Sequence, residues 1–208
     1  MMRNRRKDKT RSLRKRVLIL CEGAKTEPNY FNGLKHDGQK RRALTAVDVE
    51  VYQPKSHSPL GLVREAIIKK KRALVKGNPY ETIWLVFDRD FHKHIEDVIK
   101  LANEHDIEII ISNICFELWF LLHYEDLDAN QHFAKCGMLI KHIQQNHVTR
   151  YHKNGKNYQN IKDLTPLAIQ RAKKLEESYT HGVNTHYKFY EREPYTNVYQ
   201  LVEYLLEM

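Results

Sequence analysis

Short apolar runs alternate with longer amphipathic stretches over the first 127 residues of the chain. Four apolar runs, rich in β-branched residues, have the length of strands: residues 16–21, 47–52, 82–87 and 107–111. Helical patterns separate them and begin near residues 26, 58, 92 and 116. Because strands that alternate with helices are typical of βαβ units, the pattern predicts an α/β fold with a parallel sheet flanked by helices.

The pattern changes at about residue 128, after which no further strand is predicted. Helical patterns cover residues 131–145 and 166–179, and a terminal helix is expected over residues 195–206. We therefore predict three parts: a basic disordered tail over residues 1–16, an α/β domain over residues 17–127, and a helical extension over residues 128–208 that packs on this domain. Thr26 is the expected N-cap of the first helix.

The net charge of +9 is concentrated in the tail, since residues 1–16 hold nine Lys and Arg side chains and one Asp. A basic arm neutralises phosphates and speeds encounter with nucleic acid. A solvated leader that only aids solubility is the alternative.

The composition also indicates in which cellular compartment the protein is expected. The longest apolar runs are far shorter than the ~20 residues that span a membrane, and no signal-peptide pattern begins the chain. Cys21, Cys115 and Cys136 form no CxxC pair. We predict a cytoplasmic protein without a membrane partner, in which the three cysteines are reduced thiols.

Acidic residues follow two of the predicted buried strands. Glu22 and Gly23 end the first strand, and the Asp88-Arg89-Asp90 segment ends the third. Ligands bind beyond the carboxyl ends of the strands in open parallel sheets. Crowded carboxylates repel unless a cation neutralises them, and their hard oxygens suit Mg²⁺ or Mn²⁺. The sequence therefore predicts a catalytic metal site formed by Glu22, Asp88 and Asp90; solvated acids that cap helices are the alternative.

A further acid, Glu117, lies in an apolar stretch after the fourth strand. A carboxylate in such surroundings is rarely buried unless it is paired or bound to metal. Glu117 is therefore a candidate catalytic residue, as a metal ligand or acid–base group, and its helix is expected to bring it to the same edge of the sheet. An ion pair or a helix N-terminal acid is the alternative.

Two basic residues beside these acids are candidate contacts to nucleic acid. Lys25 follows Gly23 in a loop suited to anions. Arg89 is expected to point away from the acids and contact a backbone phosphate, or else to form an ion pair with Asp88 or Asp90. A solvated lysine is the alternative for Lys25.

The segment 149–158 mixes basic and aromatic residues. Such a segment suits stacking on single-stranded nucleic acid together with phosphate contacts. Tyr151, Lys153 and Lys156 are the predicted contact residues, and an ordinary exposed loop is the alternative.

The twelve histidines provide no zinc motif. His92 and His94 follow the third strand closely, but no cysteine motif accompanies them at ligand spacing. No structural zinc site is predicted. A general-base role for His92 and a plain surface histidine both fit the sequence.

Four blocks of the sequence carry a family resemblance: residues 21–31 (CEGAKTEPNYF), 87–90 (FDRD), 112–123 (SNICFELWFLLH) and 194–199 (PYTNVY). Glu-Gly after a first strand and Asp-x-Asp after a later one resemble the TOPRIM domain of topoisomerases, primases and OLD-family nucleases. Taken together, the four blocks resemble the RloB-like family, also called AbiLii-like.

The resemblance implies a TOPRIM fold over residues 17–127, a bacterial source, and a setting in phage defence or restriction. It implies that Glu22, Asp88 and Asp90 occupy the TOPRIM acidic positions. Glu27 falls where OLD-type nucleases have a second acid, which favours a two-metal nuclease over a topoisomerase and adds Glu27 to the expected metal ligands.

Two functions are therefore expected. The first is a Mg²⁺- or Mn²⁺-dependent nuclease that cleaves phosphodiester bonds of DNA or RNA in phage defence, as a monomer or homodimer and with or without a defence or restriction partner protein. The second is a nucleic-acid-binding or regulatory subunit whose site binds metal and does not cleave alone.

Overall fold

The computed structural model of the protein describes residues 15–37, 47–56, 58–89, 92, 94–180 and 186–208. Asp90 and most of the predicted tail lie outside the described residues. Lys15 and Arg16, the last two residues of the predicted tail, are strand residues, because they pair in parallel register with Val47 and Asp48.

Five strands form one mostly parallel sheet in the order β2-β1-β3-β4-β5. They are β1 (Lys15–Cys21), β2 (Val47–Tyr52), β3 (Thr82–Asp88), β4 (Glu108–Asn113) and β5 (Tyr195–Thr196). The first four run parallel, since helices connect consecutive strands along the chain. The predicted α/β fold, with a mostly parallel sheet, flanking helices and C-terminal helices, is confirmed.

The short strand β5 shows that the prediction of no strand beyond residue 128 is wrong. Tyr195 and Thr196 pair antiparallel with the end of β4. Side-chain contacts support the same register. The hydroxyls of Ser112 and Thr196 lie 2.8 Å apart. Ile111 N donates to Asn197 Oδ1 at 2.8 Å. A two-residue strand has no periodicity that a sequence pattern can reveal.

The described residues also form α-helices and two short 3-10 turns, Lys162–Leu164 and Phe189–Glu191. The α-helices are α1 (Thr26–His36), α2 (Pro59–Val75), α3 (Ile95–Asn103), α4 (Glu117–Leu122), α5 (Cys136–Asn146), α6 (Tyr158–Ile161), α7 (Thr165–Ser178) and α8 (Val198–Glu207). In the described parts of the chain, no helix combines the length and hydrophobicity needed to cross a membrane.

Helices cover both faces of the sheet, and the side chains of each strand alternate between the two faces. On β1, Leu18 and Leu20 face the cluster that contains α2 and α3. Val17 and Ile19 face the cluster that contains α1, α4, α5, α7 and α8. All six residues of α4 are buried. A helix that is apolar on every side belongs in the core, and this places Glu117, its first residue, inside the protein.

The prediction of three reduced thiols is wrong for two of the cysteines. Cys115 and Cys136 form a disulfide, with their Cα atoms 5.8 Å apart, and Cys21 is a buried free thiol. The two partners are 21 residues apart in sequence and become neighbours only because α5 begins beside the end of β4. No local motif announces such a pair.

Candidate functional site

The acids predicted at the ends of β1 and β3 lie side by side, because these strands are neighbours in the sheet. Cys21 is in register with Val86, and Glu22 N donates to Val86 O at 2.9 Å. A cleft of about 360 Å³ opens beyond them, which we call the strand-edge cleft. It is lined by Glu22, Gly23, Ala24, Lys25, Thr26, Glu27, Asp88, Lys153 and Asn154. The structure thus brings together three predicted metal ligands and two predicted nucleic-acid contacts.

Glu27 occupies the first turn of α1 and is buried, at 5% exposure. Burial raises the pKa of its carboxyl group above the usual range. The nearby Glu117 carboxylate raises the pKa further, while the backbone amides of Glu27 and Gly23 and the ammonium of Lys153 oppose the shift. The cleft therefore holds a carboxylate whose negative charge is poorly compensated by solvent.

Gly23 is required by the close approach of Glu27. A Cβ atom added at position 23 would lie 2.5 Å from Glu27 Cδ, well inside van der Waals contact. The absence of a side chain at position 23 therefore makes room for a carboxylate of the same chain.

We expect Gly23→Ala to displace the Glu27 carboxylate and to lower the affinity of the cleft for Mg²⁺ or Mn²⁺. The measurement is the rise in melting temperature on metal addition, compared with that of the wild-type protein. Gly137→Ala is the matched control, because a Cβ atom there meets nothing within 4 Å. An unchanged metal response in Gly23→Ala would show that Glu27 is not part of a metal site.

Glu117 reaches the edge of the site from α4. It is 0% exposed and stands in the first turn of its helix, as predicted, after a strand of the same parallel sheet. Its Oε2 lies 3.6 Å from Lys153 Nζ, and Tyr151 Oη donates to its Oε1 at 3.4 Å. Burial raises the pKa of Glu117, and Lys153 acts against this rise. These contacts match the ion-pair alternative, and a catalytic role for Glu117 stays a prediction.

The disulfide lies beside Glu117. Cys136 Sγ is 3.3 Å from Glu117 Oε2. A disulfide sulfur carries no proton, so this is a contact and not a hydrogen bond.

Lys153 is delivered to the cleft by a loop that is fastened to α1. Thr26 Oγ1 donates to Lys153 O at 2.8 Å, and Asn29 Nδ2 donates to Asn154 O at 3.1 Å. The hydroxyl of Thr26 is therefore used for this long-range bond. The prediction that Thr26 caps α1 is wrong, since the N-cap is Lys25 and its side chain makes no capping hydrogen bond.

Tyr151 does not fit the stacking role predicted for it. Its ring is 2% exposed and packs edge-on against Phe120, with ring centroids 5.7 Å apart. Tyr158, the other tyrosine of the segment, is 3% exposed. The aromatic residues anchor the loop in the core, whereas Lys153 and Lys156 remain exposed on it.

Arg89 makes two hydrogen bonds to backbone oxygens of the protein. Its Nε donates to Tyr190 O at 2.9 Å and its Nη1 to His92 O at 3.3 Å. It is not among the residues that line the strand-edge cleft. His92 Nε2 lies 3.3 Å from Glu22 Oε1, without the geometry of a hydrogen bond.

The donors in the cleft fit a hard divalent cation. Glu22, Glu27 and Asp88 offer carboxylate oxygens, the ligand type of Mg²⁺ and Mn²⁺. Within the described part of the chain, which leaves out Asp90, these acids do not bring three ligand atoms within 4.8 Å of one another. Mg²⁺ usually keeps several waters and takes one or two carboxylates, so its binding needs no closer convergence.

Two groups of other residues do converge that closely in the described chain: Cys115 with Glu117 and Cys136, and Glu125 with His142 and His147. Neither group stands out in the sequence as a ligand set. Their members come from separate segments, so no spacing motif could have revealed them.

Comparison with known proteins identifies the family. Neither the curated proteins nor the solved structures contain a significant match to this sequence. The family model described as RloB-like protein matches residues 17–205, which is most of the 208-residue chain. The chain therefore belongs to the RloB-like protein family.

Proposed function

We propose that the protein is a metal-dependent nuclease of the TOPRIM type, which hydrolyses phosphodiester bonds of DNA or RNA in bacterial phage defence. The observation that carries the proposal is the composition of the strand-edge cleft, where Glu22, Glu27 and Asp88 face the same space as Lys25 and Lys153. Carboxylates bind a divalent cation, and ammonium groups attract the phosphate on which the cation acts.

Each group in the cleft has a distinct part in this reaction. Mg²⁺ or Mn²⁺ bound by the carboxylates would neutralise phosphate charge and lower the pKa of a bound water. Glu22 directly follows β1 and Asp88 ends β3, so their backbone is held in place before the substrate arrives. Lys25 is exposed at the N-terminus of α1, where helix amides add to the attraction for a phosphate.

A second, larger cleft supports a nucleic acid as the partner. It measures about 830 Å³ and lies between β2 and α2. Its lining holds one acid, Glu65, and six basic residues: Arg16, Lys55, Arg64, Lys69, Arg72 and Lys76. Glu50 forms ion pairs with Arg16 and Lys69. Arg64 and Arg72 are exposed. A surface of this charge favours phosphate backbones irrespective of sequence.

The ion pair between Lys153 and Glu117 favours a second candidate function. Here the ammonium of Lys153 already compensates a buried acid beside the cleft, without any metal. A site whose charges are already balanced without metal is suited to binding a nucleic acid without cleaving it. The second candidate is therefore a nucleic-acid-binding or regulatory subunit that does not cleave alone.

The test is a cleavage and binding assay with the full chain. Single- and double-stranded DNA and RNA, including a transfer RNA, are incubated with Mg²⁺, with Mn²⁺ and with EDTA. Cleavage with metal that stops in EDTA supports the nuclease. Binding without cleavage of any substrate supports the second candidate, and the absence of both overturns the two proposals.

A further inference from the structure

A separate group of metal-ligating side chains lies where the chain passes from α4 to the end of α5. It consists of Glu125, His142 and His147, which we call the Glu125 cluster. His142 Nε2 lies 2.9 Å from Glu125 Oε1, and His147 Nε2 lies 2.7 Å from Glu125 Oε2. One carboxylate thus meets two imidazole nitrogens, and none of the three residues lines the strand-edge cleft.

Aromatic packing holds both imidazole rings in position. Tyr124 stacks on His147, with an interplanar angle of 11° and centroids 5.0 Å apart. The ring of Phe133 meets His142 edge-on at 5.5 Å. Side chains locked by such contacts lose little freedom when they bind a ligand, so the donor atoms are already arranged for one.

A neighbouring amide lies within hydrogen-bonding distance of the second ring nitrogen of His142. His142 Nδ1 lies 3.1 Å from Asn146 Nδ2. In this orientation the amide donates to Nδ1, and Nε2 carries the proton given to Glu125. Turning the amide by 180° would place its oxygen against Nδ1, which then keeps the proton and leaves the Nε2 lone pair for a metal ion. The turn gives up the hydrogen bond from Asn146 Nδ2 to His142 O, at 3.0 Å, in return for the one that His142 Nδ1 then donates.

The surroundings also favour a cation with one open coordination position. His147 is the C-cap of α5, an 11-residue helix, and a helix C-terminus attracts positive charge. The side chains of Glu125, His142 and His147 are 25%, 31% and 18% exposed, so water can reach the centre of the cluster.

Two imidazole nitrogens and one carboxylate form a recognised three-ligand set for zinc, with water as the fourth ligand. Mg²⁺ prefers oxygen ligands alone. The other convergent group offers no competing thiolates, because Cys115 and Cys136 are joined in a disulfide. We propose that Glu125, His142 and His147 form a Zn²⁺ site that links the end of α4 to the end of α5 and keeps one coordination position open to water, independently of the strand-edge cleft.

The proposal is tested by zinc titration of the chelator-stripped full chain under non-reducing conditions, followed by calorimetry. We expect one equivalent bound at this site, with the visible absorption of tetrahedral Co²⁺ when cobalt replaces zinc. Excess Zn²⁺ should raise the melting temperature by about 5–10 °C if its concentration reaches about 100 times the dissociation constant.

The variants separate this site from the cleft. Glu125→Gln, which is near-isosteric, and His147→Ala should each weaken zinc binding by at least about 100-fold, since loss of a ligand should cost no less than loss of an outer-shell partner. His132→Ala, at an exposed histidine, should bind zinc as the wild type does, and Asp88→Asn should keep the equivalent that is bound at the Glu125 cluster. The proposal would be overturned if the wild-type protein bound no equivalent of zinc at this site. It would also be overturned if both cluster variants kept this equivalent, or if Asp88→Asn lost it.

Discussion

Asp88→Asn should reduce metal-dependent cleavage by about 100-fold or more and leave the fold intact. Asp88 ends β3 and lines the strand-edge cleft, and its backbone is in register with Ser112 of β4. Asparagine preserves the shape of the side chain and removes its charge. Because the loss of an outer-shell partner already costs about 10–100-fold in metal affinity or activity, the loss of a direct ligand should cost more.

The measurement is the initial cleavage rate at several Mg²⁺ concentrations, with the melting temperature recorded with and without metal. Metal should stabilise the wild-type protein by mass action and the variant less. Asp106→Asn is the matched control, because its side chain is 95% exposed and its backbone φ of 49° is one that asparagine tolerates. Equal rates and equal metal responses in all three proteins would remove Asp88 from the site.

Glu117→Gln should lower the cleavage rate by roughly 10-fold through its effect on Lys153. Glutamine keeps an oxygen that accepts from Tyr151 Oη, but it no longer balances the ammonium of Lys153. Breaking an ion pair with one buried and one half-exposed partner should cost about 1–2 kcal/mol, between the values for exposed and buried pairs, and 1.4 kcal/mol corresponds to tenfold in rate. Glu117 would then be a positioning residue, and Lys153, which lines the cleft, would contact the substrate.

A double-mutant cycle distinguishes this role from the alternatives. If Glu117 acts through Lys153, then Lys153→Met should lower the rate as much, and the double variant should be no slower than either single variant. Losses that multiply would instead make Glu117 an independent ligand or acid–base group. Unchanged activity with a stability loss of about 0.3–1 kcal/mol would make it only a helix-end acid.

Lys173→Met is the matched control for this cycle. Lys173 is also ion-paired with a glutamate, Glu203, and its side chain is 47% exposed against 48% for Lys153. It does not line the strand-edge cleft. Its replacement should therefore change neither the cleavage rate nor its dependence on Mg²⁺.

Local sequence patterns are enough to predict the order of the main strands and helices and the edge of the sheet that holds Glu22 and Asp88. Both follow from local patterns. An apolar run that ends in an acid places that acid at the carboxyl end of a buried strand, and parallel strands present those ends at one edge of the sheet. The burial of Glu117 also follows locally, since its six-residue helix is apolar on every side.

Which distant residues become partners depends on how the folded chain packs. The bond from Thr26 to Lys153, the pairing of Lys153 with Glu117 and the disulfide each join separate segments of the chain. The same holds for the burial of Tyr151, which a polar loop sequence does not suggest.

The Glu125 cluster has the same origin. Its glutamate follows α4 and its histidines stand near the end of α5, so they meet only because the two helices pack together. Periodicity and capping signals extend over one or two turns of backbone, whereas such meetings depend on how the connecting loops return to the sheet. Local patterns therefore specify the frame of the site, and packing between distant segments specifies which charges and metal ligands face each other within it.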